Sequence, residues 1–368
     1  MKFNRYALSD LVTIKYGKNQ KKVLSESGDI PIYGTGGLMG YATTALYDKP
    51  SVLIGRKGTI GKVKYVEHPF WTVDTLFYTI VNTDIVLAKY LYYSMSLIDL
   101  NNYNEGTTIP SLRTETLSRL EFDIPSLEEQ EIILSCLNPI DEKIALNNAI
   151  NENLLQQIQL SYDRLAEELS GESVALSSVV DVRDGTHGSP KPKETGYPLV
   201  TSKHLLPFGV DLSSANLIAQ ADYDKINERS KVDTYDILLS MIGTVGLVSL
   251  VIESPVNFAI KNVGLFKTSN CPELYAFILP YLRSEKTTQH IERTLAGSTQ
   301  KYISLGELRK VPIVLPSEDQ LRAYNNVAVP LVNQIVTLTK ENKLLVSLRD
   351  TLLPKLMSGE LDVSDLDL

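Results

Sequence analysis

The sequence predicts an α+β protein: two pseudo-repeated, β-rich α/β domains separated by two long antiparallel coiled-coil helices. Three observations carry this expectation. A helix-opening motif at Ser126 returns 191 residues later at Ser317, each copy leads into a long apolar seam, and the segments ahead of them share short motifs in one order. The implied boundaries are a first domain over 1–125, a helix over 126–170, a second domain over 171–316 and a C-terminal helix over 317–368.

In chain order, YALSDLVTIKYGKNQKK opens the first domain as a short helical or turn-like start. A β-rich stretch follows, punctuated by Gly34, Gly36, Gly37 and Gly40. The run SVLIGRKGTIGKVKYV, Ser51 to Val66, sets β-branched residues on either side of a glycine turn, which predicts a hairpin. A strand over WTVDTLFYTIV, a helix near Ala88 to Leu100, the loop EGTTIPSLRTETL and a strand-like exit RLEFDIP complete the domain.

The first long helix starts at Ser126, whose hydroxyl can cap an early amide while Glu129 reaches back in a capping box; Ser317 and Gln320 repeat the device. Pro139 and Pro330 each lie 13 residues after their capping serine, so both helices should bend at one distance from their start. Beyond them Ile140, Ile144, Asn147, Asn151, Leu154, Ile158 and Leu165 recur at heptad spacing, as do Leu331, Ile335, Leu338, Asn342, Leu345, Leu352 and Leu356. Asn151 and Asn342 are again 191 residues apart: either they meet in the seam and fix its register, or the frame drifts and both are solvated. About 40 residues of helix make a rod on the order of 60 Å long.

The second domain repeats the first. YALSDLV returns as VALSSVV from Val174, LIGRKGTIGKV as LLSMIGTVGLV from Leu238, and NEGTTIPSL as LAGSTQKYISL near Gly297. The loops differ: Lys18-Asn19-Gln20-Lys21-Lys22 stands against Thr186-His187-Gly188-Ser189-Pro190-Lys191. A shared scaffold with different loop tips suggests two similar readers of different ligands.

Composition narrows the class. The chain has 368 residues, 43% hydrophobic and 22% charged, no signal-peptide pattern in MKFNRYALSD and no long apolar run, which predicts a cytoplasmic protein with no membrane partner. Cys136 and Cys271 fall in different halves, so neither a disulfide nor a zinc site is expected. The net charge of -8 sits on the helices: residues 126–170 hold 2 Lys+Arg against 9 Asp+Glu, whereas residues 1–64 hold 11 against 4. A local basic face is therefore expected on the first domain.

No catalytic pattern stands out. Gly55-Arg56-Lys57-Gly58-Thr59-Ile60-Gly61-Lys62 approaches a phosphate-binding loop, but it sets five residues between its outer glycines and Val63 where Mg²⁺ would need Ser or Thr. His68, His187, His204 and His290 share no metal-ligand spacing. The expectation is a chain without catalytic residues, metal or cofactor.

The entry IPSLEEQEII at Ile124 to Ile133, the GRKGTIGKV hairpin, the closing LLPKLMSGELDV at Leu352 to Val363 and the duplication together resemble the DNA-specificity (S) subunit of type I restriction-modification systems, over nearly the whole chain. The second copy departs from the first in reading PSEDQ for PSLEEQ and Met241-Ile242 for Arg56-Lys57. The resemblance implies two target-recognition domains, each reading one half of a bipartite double-stranded DNA target, and two conserved-region helices that set the spacing and dock two modification (methyltransferase) subunits. It assigns ATP-dependent cleavage to restriction subunits. Polar tips of the glycine loops suit groove readout. In the first domain these are Lys18, Asn19, Gln20, Lys21, Thr35, Arg56, Lys57, Thr59, Thr107, Thr108 and Arg113. In the second they are Thr186, His187, Lys191, Thr201, Ser202, Lys203, Thr244, Ser298, Thr299, Gln300 and Lys301. The rival reading is a non-catalytic protein–protein scaffold carrying two β-rich binding modules.

Overall fold

The computed structural model describes residues 1–363; residues 364–368 of the expected C-terminal segment lie outside them. The chain forms two compact units: Met1–Ile144 with the stretch from Leu344 onward, and Ala145–Lys343.

The first unit runs β1 (Asn4–Ala7), α1 (Leu8–Leu11), β2 (Val12–Tyr16), β3 (Ile30–Gly34), β4 (Gly37–Ala42), β5 (Ser51–Gly55), β6 (Val63–Val66), β7 (Trp71–Thr72), β8 (Leu76–Val81), α2 (Ala88–Ser96), α3 (Thr114–Ser118) and β9 (Glu121–Ile124), and then enters α4 (Leu127–Glu168). Its strands form an antiparallel sheet ordered β2-β8-β5-β6, a smaller sheet β4-β3-β7 and the closing pair β1-β9. β5 reads SVLIG and is buried on both faces, whereas VTIKY of β2 exposes three of its five residues, as befits an edge strand. Val52, Ile54 and Phe77 from the sheet, Tyr90 and Leu91 from α2 and Ile133 and Leu137 from α4 share one core.

The second unit continues with β10 (Val174–Ala175), β11 (Val182–Asp184), β12 (Tyr197–Val200), β13 (Leu217–Ile218), α5 (Gln220–Ser230), β14 (Ile237–Ser240), β15 (Val248–Leu250), β16 (Ala259–Ile260), β17 (Val263–Phe266), α6 (Tyr275–Arg283), α7 (Glu285–Thr294), α8 (Leu305–Arg309), β18 (Pro312–Ile313) and α9 (Glu318–Met357). Its sheets are β11-β17-β14-β15, β13-β12-β16 and β10-β18, the same order strand for strand as in the first unit. Hydrogen-bond register makes the equivalence residue by residue. Gly55 opposes Leu76 and Tyr16 opposes Phe77, as Ser240 opposes Val263 and Asp184 opposes Gly264. The second unit also has α5 between β13 and β14, where the first has no helix between β4 and β5.

Both expected capping boxes form. Ser126 N–H donates to Glu129 (3.0 Å) and Glu129 N–H to the Ser126 hydroxyl (3.3 Å); Ser317 and Gln320 do the same at 3.0 and 3.3 Å. Helix α4 spans 42 residues and α9 spans 40, and neither Pro139 nor Pro330 ends its helix. Within the second unit the two helices pair antiparallel. Asn147 Nδ2 donates to Asn342 Oδ1 (2.9 Å) and to Glu341 (2.8 Å), Asn342 Nδ2 donates to Asn148 (2.8 Å), and Asn151 Nδ2 to Thr339 (3.3 Å).

Asn151 and Asn342 are thus neither partners nor solvated alike. In an antiparallel pair, positions related by a constant offset meet only at the midpoint of the pairing. Both asparagines lie just beyond it on their own helices, so they fall on opposite sides, three to four residues or about 5 Å apart along the axis.

Candidate nucleic-acid interface

In each unit the glycine-bearing hairpin turn is clamped to a second loop by the same backbone bonds. In the first, Gly58 N–H donates to Pro110 O (2.9 Å), Leu112 N–H donates to Arg56 O (3.0 Å), and Lys57 pairs with Ser111. In the second, Gly243 N–H donates to Lys301 O (3.3 Å), Ile303 N–H donates to Met241 O (3.0 Å), and Ile242 pairs with Tyr302. Gly58 and Gly243 hold φ of +85° and +80°, a conformation that favours glycine and turns the tip outward. This clamp ties the turn that carries Arg56, Lys57 and Thr59 to the loop that carries Thr107 and Thr108, and the turn that carries Thr244 to the loop that carries Ser298, Thr299, Gln300 and Lys301. Lys57, Thr59, Thr107, Thr108, Thr244 and the 298–301 run are exposed, and Arg56 is half-buried.

A further loop leaves the edge strand of each large sheet through a glycine that admits no side chain. A Cβ on Gly17 would lie 2.0 Å from Val73 O, and one on Gly185 2.3 Å from Ile260 O. Lys18 N–H donates to Thr72 O (2.8 Å) as Thr186 N–H does to Ile260 O (3.0 Å), so these loops start at matching points. Trp71 Nε1 donates to Lys18 O (2.9 Å), and Asn19 Oδ1 accepts from Lys21 N (2.9 Å), which shapes the turn that carries Gln20. Lys191 is exposed farther along the second of these loops.

Side-chain surroundings separate the candidates. Arg56 Nη1 donates to Asp74 O (2.8 Å) while its guanidinium lies 5.0 Å over the Tyr16 ring, so the head is held in place. Arg113 is tied to Glu105 (3.2 Å). Thr35 and Thr59 line a hollow of about 340 Å³ with Lys62 and Lys64. Lys64 Nζ stands 4.1 Å over the Tyr33 ring, and burial of its ammonium pushes its pKa down. Thr201, Ser202 and Lys203 follow β12 at the point where Thr35 follows β3, but Thr201 is engaged in a cap: its N–H donates to His204 Nδ1 (2.9 Å). Burial, more than the charge of neighbouring Lys203, lowers the His204 pKa.

His187 is the most constrained of the second set. Its Nε2 faces Asp184 Oδ2 at 2.9 Å, its Nδ1 faces the Asn262 side chain at 2.8 Å, and Arg229 holds the other oxygen of Asp184 at 3.1 Å. Thr186 and His187 also border a hollow of about 500 Å³ whose far wall is α5, with Lys225 and Arg229.

Lys62, Lys64, Lys225, Arg229 and Asn262 were missing from the sequence-based set. Lys62 stood in plain view, since Arg56-Lys57-Thr59-Lys62-Lys64 places four cations within nine residues. Helix α5 reads as a charged surface helix, and Asn262 has no local signal. Among the described residues no cluster of three or more His, Cys, Asp or Glu could hold a metal, and no helix is long and apolar enough to cross a membrane.

Comparisons with known proteins agree with this architecture. Residues 2–156 match the family model described as "Type I restriction modification DNA specificity domain". The MjaIX specificity subunit of a type I restriction enzyme from Methanocaldococcus jannaschii is 27% identical over 355 residues, covering 87% of this chain and 80% of the relative. The HindI specificity subunit from Haemophilus influenzae is 22% identical over 392 residues, covering 82% and 84%. The crystal structure of a type I restriction-modification S subunit from M. genitalium superposes with a TM-score of 0.55 at 17% identity, covering 97% of this chain and 96% of that one, a likeness of fold.

Proposed function

We propose that this chain is the sequence-reading subunit of a type I restriction-modification complex, a reading supported by the match of residues 2–156 to the DNA specificity domain family and by the likeness to specificity subunits along most of the chain. The globular parts, 1–125 and 171–316, each read one half of a bipartite duplex target. The helices set the unread gap and dock two modification subunits, and restriction subunits join the same assembly. Methyl transfer and cleavage belong to those partners; this chain supplies neither a catalytic group nor a cofactor.

The observation that carries the reading is the pairing of an unchanged frame with changed tips. Strand order, hairpin clamp and loop origin agree between the units, while the outward residues are Lys57, Thr59, Thr107 and Thr108 in one and Thr244, Ser298, Thr299 and Gln300 in the other. A protein-binding scaffold has no need of clamped polar loops beside lysines, whereas base edges are read by such side chains and phosphates are met by cations. With a net charge of -8, the chain relies on its partners for much of the phosphate contact.

The test exchanges residues 1–125 for the equivalent domain of another specificity subunit in the full complex and sequences the methylated sites. One half of the target should change and the other persist. Retention of both original halves sinks the assignment.

A further inference from the structure

The equivalent position in the two units is filled differently, and the difference points to a reader that lies outside the loop tips. In the first unit Phe77, Tyr16 and Arg56 form a column, with rings 5.0 Å apart and the guanidinium 5.0 Å over Tyr16. The register aligns these with Gly264, Asp184 and Met241, so the column is absent from the second unit. A hollow of about 370 Å³ lies there, bordered by Asp184, His187 and Asn262 on one side and by Met241, Ile242 and Tyr302 on the other. Asn262 takes the place of Thr75: its carbonyl accepts from Met241 N as that of Thr75 does from Arg56 N.

Asn262 is held in an unusual state. Its φ is +54°, a left-handed conformation that asparagine tolerates better than most residues. Its side chain is oriented by a chain of hydrogen bonds. The Asp184 carboxylate, buried and paired with Arg229, can only accept, so His187 carries a proton on Nε2 and donates it there. Asn262 Oδ1 faces His187 Nδ1 at 2.8 Å, so the ring fixes the amide from its oxygen end. The amide still offers the second lone pair of Oδ1 as an acceptor and an Nδ2 N–H as a donor, side by side at the mouth of the hollow.

That pair matches the major-groove edge of adenine, where N6–H donates and N7 accepts, and an apolar recess beside it suits the C5-methyl of the paired thymine. We infer that Asn262 is a specificity-determining residue of the second domain and that it reads an A·T pair, with Met241, Ile242 and Tyr302 receiving the thymine methyl. The inference rests on the DNA-reading role proposed above. Thr75 in the first unit has no amide, and Arg56 stacked on Tyr16 fills the recess, so the first domain does not share this reader.

The test uses the full complex with its modification subunits and selects bound duplexes from a library randomised across both half-sites. Wild type should select A·T at one position of the second half. Asn262→Gly keeps the left-handed backbone and removes the amide. It should cut discrimination at that single position by roughly 5- to 150-fold, the worth of one bidentate contact, and leave the first half untouched. Asn262→Asp, which cannot donate, should lose the preference for adenine equally, and uracil in place of the paired thymine should weaken wild-type binding. An unchanged motif with Asn262→Gly, or a second half composed of G·C alone, overturns the inference while the reading role stands. Failure of wild type to select any two-part motif overturns the reading role itself.

Discussion

Replacing Gln130 by alanine should destabilise the first unit by about 3 kcal/mol or more. The side chain is fully buried at the start of α4 and is satisfied at both ends. Its Oε1 accepts from Leu87 N (2.8 Å), and its Nε2 donates to Ile85 O (2.9 Å) and Pro125 O (3.1 Å). Truncation leaves one backbone N–H and two carbonyls without partners, and each buried unsatisfied group costs about 1–3 kcal/mol. The low end of that range for all three gives the figure above, about a 150-fold change in the unfolding constant. Gln130→Glu should do no better, since it removes both donors and introduces a buried charge. The chain has one tryptophan, Trp71, in this same unit, so urea denaturation followed by its fluorescence reports the relevant transition. With a slope of about 2 kcal/mol per molar urea the midpoint should fall by about 1.5 M. A shift below about 0.5 M at unchanged slope would mean that water replaces the amide at little cost and that Gln130 does not pin α4 to the turn before α2.

Asp236→Ala should cost the second unit about 3–5 kcal/mol by circular dichroism on urea titration, because Lys267, 4% exposed and 2.5 Å from the Asp236 carboxylate, would be left as a buried charge without its main partner. Acidification should weaken the same unit through Asp233. Burial pushes that carboxyl up, but hydrogen bonds from Lys267 and Lys231 outweigh it and hold the pKa below the ordinary range. A depressed carboxylate stabilises the fold above its unfolded pKa of about 4 and loses that contribution as pH falls through its lower folded value, so Asp233→Asn should lose less midpoint than wild type between pH 5 and pH 3. Ser126→Ala should cost about 1 kcal/mol through the lost cap at Glu129 N, measured by the Trp71 transition, and Ser126→Thr should restore most of it. Lys62→Ala with Lys64→Ala should lower the slope of log affinity against log salt by about 2 in the assembled complex while the selected motif stays the same. An unchanged slope would place both lysines away from phosphate.

The periodic features were legible early because they are local and occur twice. Ser126 with Glu129 and Ser317 with Gln320 need only a three-residue reach, and the Leu53–Val63 hairpin only a glycine able to take positive φ. The seam could be read from heptads, but its register could not. Which asparagine meets which depends on where two helices far apart in sequence come to rest, and Asn147 took the place expected for Asn151. The insertion α5 was also hidden, since QADYDKINERS has little apolar face to mark it.

By itself the sequence determined the doubled architecture, the two long helices and the capped starts, all of which rest on patterns within a few turns or on one offset of 191 residues. Only the tertiary structure decided which polar groups act together. Asp184, His187, Arg229 and Asn262 lie up to 78 positions apart in the chain and meet within hydrogen-bond distance because β11 and β17 pair and α5 packs nearby. The same frame is filled differently in the two units. One frame carries Phe77, Tyr16 and Arg56 in one unit and Gly264, Asp184 and Met241 in the other, and a difference of three side chains turns a filled column into a hollow.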